Sequence, residues 1–181
     1  MSPQTIVQEL RSELPRIMDW IDATLRRYQA QERLVSSFNF PRLSNHYSDT
    51  RLSNVNAIVV NERIPLPPLT QLGIRGLSAF EKIEMVGPTY KNSDFIHSDS
   101  QSESVHFHEL IHTVQWDTLG PENFLLAYGV LLALYEYRAT PFEGIAYGLQ
   151  GSFESKFLEG NVEKLVEHHT KKVWNEVEKY L

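Results

Sequence analysis

Between Val105 and Trp116 the chain reads VHFHELIHTVQW, and His108, Glu109 and His112 within it form an HExxH motif. Helical residues four apart stack on one face, so two imidazoles at this spacing point the same way and can share one metal ion. Glu109 directly follows the first imidazole, where its carboxylate can take a proton from metal-activated water. Apolar Phe107, Leu110, Ile111 and Val114 would bury the other sides of that helix and hold the ligands on a rigid, poorly hydrated element. The bland alternative, a helix that happens to carry two histidines, has no need of Glu109.

Two imidazoles leave a catalytic zinc site short, because such sites take three protein ligands and a water. Downstream carboxylates are Asp117, Glu122, Glu136, Glu143, Glu154 and those of the C-terminal region. Asp117 follows His112 too closely to fold back onto the same face. Glu143 is the expected third ligand: it lies in the first turn of a predicted helix, in YRATPFEGIAY, with small Gly144 and Ala146 beside it. A competing role is open, since Thr140 and Glu143 also fit a capping box in which Glu143 returns to the Thr140 amide. Glu136 is the alternative ligand.

The elements that must position these groups are legible in outline. Ser2 and Pro3 suit the start of a helix whose apolar face repeats through Ile6, Leu10, Leu14, Ile17, Met18, Ile21 and Leu25, with Pro15 expected to kink or split it. Residues 38–99 are punctuated by proline and glycine, with strands expected at Asn56–Val60, Glu81–Val86 and Asp94–His97, the last two pairing across 87–93. Ser100 and Glu103 fit a capping box for the motif helix, which would run to about Asp117 before Gly120 and Pro121. A very apolar helix follows over about Glu122–Tyr137, another begins at Thr140, and a last one begins near Asn161 with Val162, Leu165, Val166, Val173 and Val177 on one face.

Composition narrows the function. The chain has 181 residues, which suits a single domain over 1–181, and its 41% hydrophobic and 22% charged content is that of an ordered globular protein. Its net charge of -6 argues against nucleic acid as a partner. The lack of cysteine excludes disulfides, a thiolate nucleophile and cysteine-ligated zinc or iron–sulfur sites. No stretch approaches the ~20 apolar residues of a membrane span, and Met1–Leu10 does not resemble a signal peptide, so a cytoplasmic location without membrane association is expected. His106 should pack on the side of the helix opposite His108, Gln115 should lie at the site rim or cap a buried backbone group, Trp116 should be core, and His168 and His169 should be solvated.

HELIHTVQW followed some thirty residues later by PFEGIAY resembles the zincin superfamily of metallopeptidases, and within it the gluzincins. It is especially similar to small predicted zinc-peptidase families of bacterial origin, over about Met85 to Tyr147. The resemblance implies an α+β, zincin-like fold: a small mixed sheet packed on the active-site helix, flanked by N-terminal and C-terminal helices. It implies zinc held by His108, His112 and Glu143, with Glu109 as general base, and an edge strand around Asp94–His97 that aligns an extended peptide or protein substrate. The tetrahedral oxyanion needs a donor, for which Tyr128, Tyr137, Arg138, Tyr147 and His97 are available. Tyr147, one turn beyond Glu143 on the same face, is the first choice. The expected function is therefore that of a zinc-dependent metallopeptidase. A catalytically silent, zinc-stabilised interaction module is the alternative, and two histidines with a carboxylate would also suit a small-molecule metallohydrolase or a ferrous enzyme.

Overall fold

The computed structural model describes residues 2–83, 85–135 and 137–181. The chain begins with a long helix, α1 (Pro3–Tyr28), capped by the Ser2 hydroxyl, which accepts from the Thr5 amide at 3.2 Å. Ile6, Leu10, Leu14, Ile17, Ile21 and Tyr28 form its buried face. Pro15 does not split the helix as its sequence suggested. It lies on the exposed side, next to solvent that can satisfy the carbonyl left without its helical donor.

A short strand β1 (Glu32–Leu34), a helix α2 (Asp49–Asn54) and strand β2 (Asn56–Val60) follow, the last with the predicted bounds. Strands β3 (Thr89–Tyr90) and β4 (Ser93–His97) complete a four-stranded mixed sheet of order β1-β2-β4-β3. β4 runs parallel to β2, with Ile58 opposite Phe95, and antiparallel to β3, with Thr89 opposite Asp94. The described residues of the strand expected over Glu81–Val86 form no strand. Phe80–Lys82 is a 3-10 turn, Glu84 lies outside the described residues, and the chain first reaches β4 where Val86 and Pro88 accept from the His97 and Phe95 amides. Pro88 has no N–H to return to the ladder, which helps confine regular pairing to two residues.

The motif helix, α3 (Glu103–Leu119), is capped by Ser102 rather than Ser100: the Ser102 hydroxyl accepts from the Val105 amide. Gly120, at φ +74, ends α3 and opens α4 (Pro121–Leu134); a side chain there would strain that left-handed backbone. Helices α5 (Pro141–Glu154) and α6 (Glu163–Val177) complete the chain. On α6, Val162, Val166 and Val177 are buried, but Leu165 faces outward.

One apolar cluster joins α1, α4 and the sheet, through residues such as Ile17, Val130 and Phe95. A second joins α3, α5 and α6, through Phe107, Ile111, Phe153 and Val166. α3 runs between them and is buried from His106 through Trp116. Full burial of Phe107, Leu110, Ile111 and Val114 contributes roughly 1.5–3 kcal/mol each, and this offsets the cost of placing polar side chains in the same turns. No helix among the described residues is long and apolar enough to cross a membrane.

Candidate metal centre

α3 brings His108 and His112 onto one face, with their Nε2 atoms 3.1 Å apart. The first turn of α5 brings Glu143 against both, at 3.4 Å from each imidazole. One donor atom from each of the three lies within 4.8 Å of the others, a spacing that a single ion can bridge. The capping-box alternative is only half realised. The Thr140 hydroxyl does accept from the Glu143 amide, but the Glu143 carboxylate turns inward to the histidines. Glu136, the alternative ligand, lies outside the described residues.

Two glutamines orient the imidazoles. Gln115 Oε1 lies 2.8 Å from His112 Nδ1, and Gln150 Oε1 lies 2.9 Å from His108 Nδ1. An amide oxygen accepts only, so both Nδ1 atoms carry hydrogen and both Nε2 atoms turn toward Glu143. Gln115 also donates to the Phe142 carbonyl at 3.2 Å, so it serves the site and caps backbone together. Gln150 donates to Ser104 at 2.9 Å, and Ser104 bonds Glu154. Sequence reasoning missed Gln150, although it lies two turns beyond Glu143 on the same face of α5 as Tyr147.

Burial lowers the His112 imidazole, but the Glu143 carboxylate beside it outweighs burial and lifts it to about 9. Burial raises Glu143, yet His112 and then His108 hold it well below the usual carboxylate range. His108 is lowered, chiefly by burial. A cation bound here must displace the His112 proton, so binding would release it.

The donor set fits a divalent ion of zinc's preference: two neutral imidazoles and a carboxylate, with a position left for water. Tyr128 donates to Glu143 Oε1 at 2.7 Å, while Oε2 is buried and has no hydrogen-bond partner. An anionic oxygen left that way costs several kcal/mol unless a cation meets it.

Glu109 is buried at 3% exposure, and burial pushes its carboxyl well up. Its Oε2 accepts from the Thr89 hydroxyl at 2.8 Å, and its Oε1 lies against Gly87. A Cβ at Gly87 would stand 2.8 Å from that oxygen and 3.1 Å from the Phe95 carbonyl, so a side chain there would press the Glu109 carboxylate out of its position. The strand expected to be an edge, β4, is interior, because β3 and residues 86–88 run along its far side. The edge next to Glu109 is therefore the Gly87–Tyr90 stretch.

Tyr147 is exposed at the rim, its ring edge-on to His108 with 4.6 Å between centroids and the Arg138 guanidinium 5.5 Å from its own centroid. Burial, then Glu143, raises its hydroxyl, which keeps it a donor. Tyr128 is committed to Glu143. His97 accepts from the Asp99 amide and lines a separate cleft with Arg63 and Lys82. Trp116 is core, donating to the Thr89 carbonyl at 3.1 Å, and His168 and His169 are exposed. His106 is fully buried against the stacked rings of Phe38 and Phe40. A cavity of about 90 Å³ adjoins the cluster; His112, Glu143 and Thr89 form part of its wall, and Leu10, Ile17, Phe124 and Leu132 are among the apolar rest.

Comparison with protein-family models, curated proteins and solved structures finds no match.

Proposed function

We propose that this chain is a zinc-dependent peptidase of the zincin type. The observation that carries the reading is the convergence of His108, His112 and Glu143, each oriented by its own hydrogen-bond partner, beside the buried Glu109 carboxylate that a structural metal site would not require. His108 Nε2, His112 Nε2 and Glu143 would hold the ion. Zinc bound there supplies Lewis acidity to water and to a substrate carbonyl. Glu109 takes the proton of the attacking water and delivers it to the leaving amine. Tyr147 offers a hydroxyl at the rim for the oxyanion. The Gly87–Tyr90 edge lies where an extended peptide can run past Glu109.

The neighbouring cavity supports a preference for an aliphatic side chain next to the scissile bond. At about 90 Å³ it is smaller than an apolar cavity that admits benzene, which measures ~150 Å³, and apart from His112 and Glu143, which the ion would engage, its wall offers no charge to pair with a charged side chain.

The test combines elemental mass spectrometry with a cleavage screen on unfolded protein and peptide mixtures. Wild type is expected to hold about one zinc per chain, to lose it in His108→Ala and Glu143→Ala, and to cleave. Glu109→Gln is expected to keep the metal and lose cleavage by roughly 10²- to 10⁴-fold. Absence of metal after zinc reconstitution would remove the reading. A function indifferent to Glu109→Gln would replace it with the silent interaction module.

A further inference from the structure

Asp94 projects from β4 into the same interior as Glu109 and is fully buried. Its cross-strand partner is Thr89, whose hydroxyl lies 3.1 Å from Asp94 Oδ1, 2.8 Å from Glu109 Oε2 and 3.3 Å from the Glu109 carbonyl. A hydroxyl has one hydrogen to donate. With both carboxyls ionised, that one hydrogen faces three acceptor oxygens, and at least one carboxylate contact sets lone pair against lone pair. Both carboxyl contacts are satisfied when one carboxyl brings a hydrogen of its own, which leaves only the longer contact to the Glu109 carbonyl unserved.

We propose that Asp94 is that carboxyl: a neutral acid donating to Thr89 Oγ1, which fixes the Thr89 hydrogen toward Glu109 Oε2 and makes Asp94 and Thr89 positioning residues for the base. Asp94 Oδ2 is buried without a partner, which a neutral acid tolerates and an anion does not. Among the described residues no ion pair reaches Asp94; the groups bearing on it electrostatically are His112 and Glu109 from α3 and the Tyr47 hydroxyl. Burial raises its carboxyl to about 7, against the smaller opposing pull of Thr89 and His112. With its acceptor side filled by Asp94, the Thr89 hydroxyl cannot turn away. Glu109 is then held between that donor and Gly87, preset before any substrate arrives.

Glu109's role as base rests on the function proposed above, whereas the state of Asp94 does not, and the experiment separates them. Infrared spectra of the zinc-loaded protein at neutral pH, with ¹³C-labelled aspartate, should show a neutral-carboxyl C=O band that Asp94→Asn removes. In Thr89→Val the band should shift to higher frequency, and in Thr89→Ser it should stay. Absence of the band in wild type overturns the neutral acid, and a band unmoved by Thr89→Val overturns the link to Thr89. On any peptide that wild type cleaves, Thr89→Val should lower kcat by about 10- to 100-fold at unchanged KM and zinc content, with Thr89→Ser restoring it. An unchanged kcat in Thr89→Val would overturn the positioning role alone.

Discussion

The candidate site has two walls of different construction. The helical wall, α3 and the first turns of α5, carries the proposed ligands, His108 and His112 on i, i+4 geometry and Glu143 opposite them, and each is fixed by a second side chain: Gln115, Gln150 or Tyr128. Among the described residues, the sheet-edge wall carries nothing that joins the His108–His112–Glu143 cluster. It contributes Gly87 and Thr89, which shape and anchor Glu109, with Asp94 behind them. Metal affinity and catalytic power should therefore be separable: damage to the helices costs the ion, and damage to the edge costs the base while the ion stays.

The largest effect tests the helical wall. Glu143→Gln removes the negative charge and should weaken zinc affinity by more than about 100-fold, beyond the 10- to 100-fold typical of an outer partner. Zinc titration against a competing chelator measures this. Retention of near wild-type affinity would mean that the third ligand comes from elsewhere. Next in size is Gly87→Ala, which drives a methyl group into the Glu109 carboxylate. It should keep full zinc occupancy while kcat falls by about 10²-fold. If zinc and activity fell together, the two walls would not be independent.

A smaller effect grades the helical wall internally. Gln115→Leu and Gln150→Leu each remove the acceptor that orients one imidazole, and each should weaken zinc by 10- to 100-fold at most. Gln115 is fully buried and also bonds the Phe142 carbonyl, so its loss should be the more damaging, in melting temperature as well as affinity. Equal effects from both variants would show that the Phe142 contact adds little.

This contrast also explains what could be seen in advance. The pairing of His108 and His112 was legible because helical periodicity fixes which side chains share a face, and Gln115 was in view for the same reason. Gln150 follows the 143, 147, 150 repeat but has no chemistry that singles it out before its neighbour is known. The edge wall was not legible. Glu81–Val86 carries strand-forming apolar residues, yet its described residues lie in a 3-10 turn and an irregular path, and β1 is too short and polar to leave a pattern. Gly87, Thr89 and Asp94 matter through contacts to a helix some twenty residues away, which no local spacing encodes. Ser100 and Ser102 could both begin a helix on composition, and the choice between them was made by how the chain leaves β4 through the turn Ser98–Ser100.

The smallest effect concerns the back of α3, where the same helix carries a histidine that serves neither wall. His106 is fully buried against the stacked Phe38 and Phe40, and neither ring nitrogen has a hydrogen-bond partner. Burial lowers its pKa from the ordinary value of 6.5 to about 4. Between those values the unfolded chain binds the proton and the folded chain does not, so stability rises with pH across that window. The contribution is fully present above 6.5 and is lost as pH falls toward 4, amounting to about 3 kcal/mol at most. His106→Leu removes the titration, so the stability difference between wild type and variant should be flat above pH 6.5. Below it, wild type should lose ground steadily, as read from urea unfolding at several pH values. A difference that does not vary between pH 4 and 7 would mean that His106 is protonated, or reaches water, in the folded protein. Zinc affinity at pH 7.5 should be unchanged in the same variant, because the imidazole faces away from the cluster. A loss there would couple the back of α3 to its metal-binding face and break the division between stability and function along this one helix.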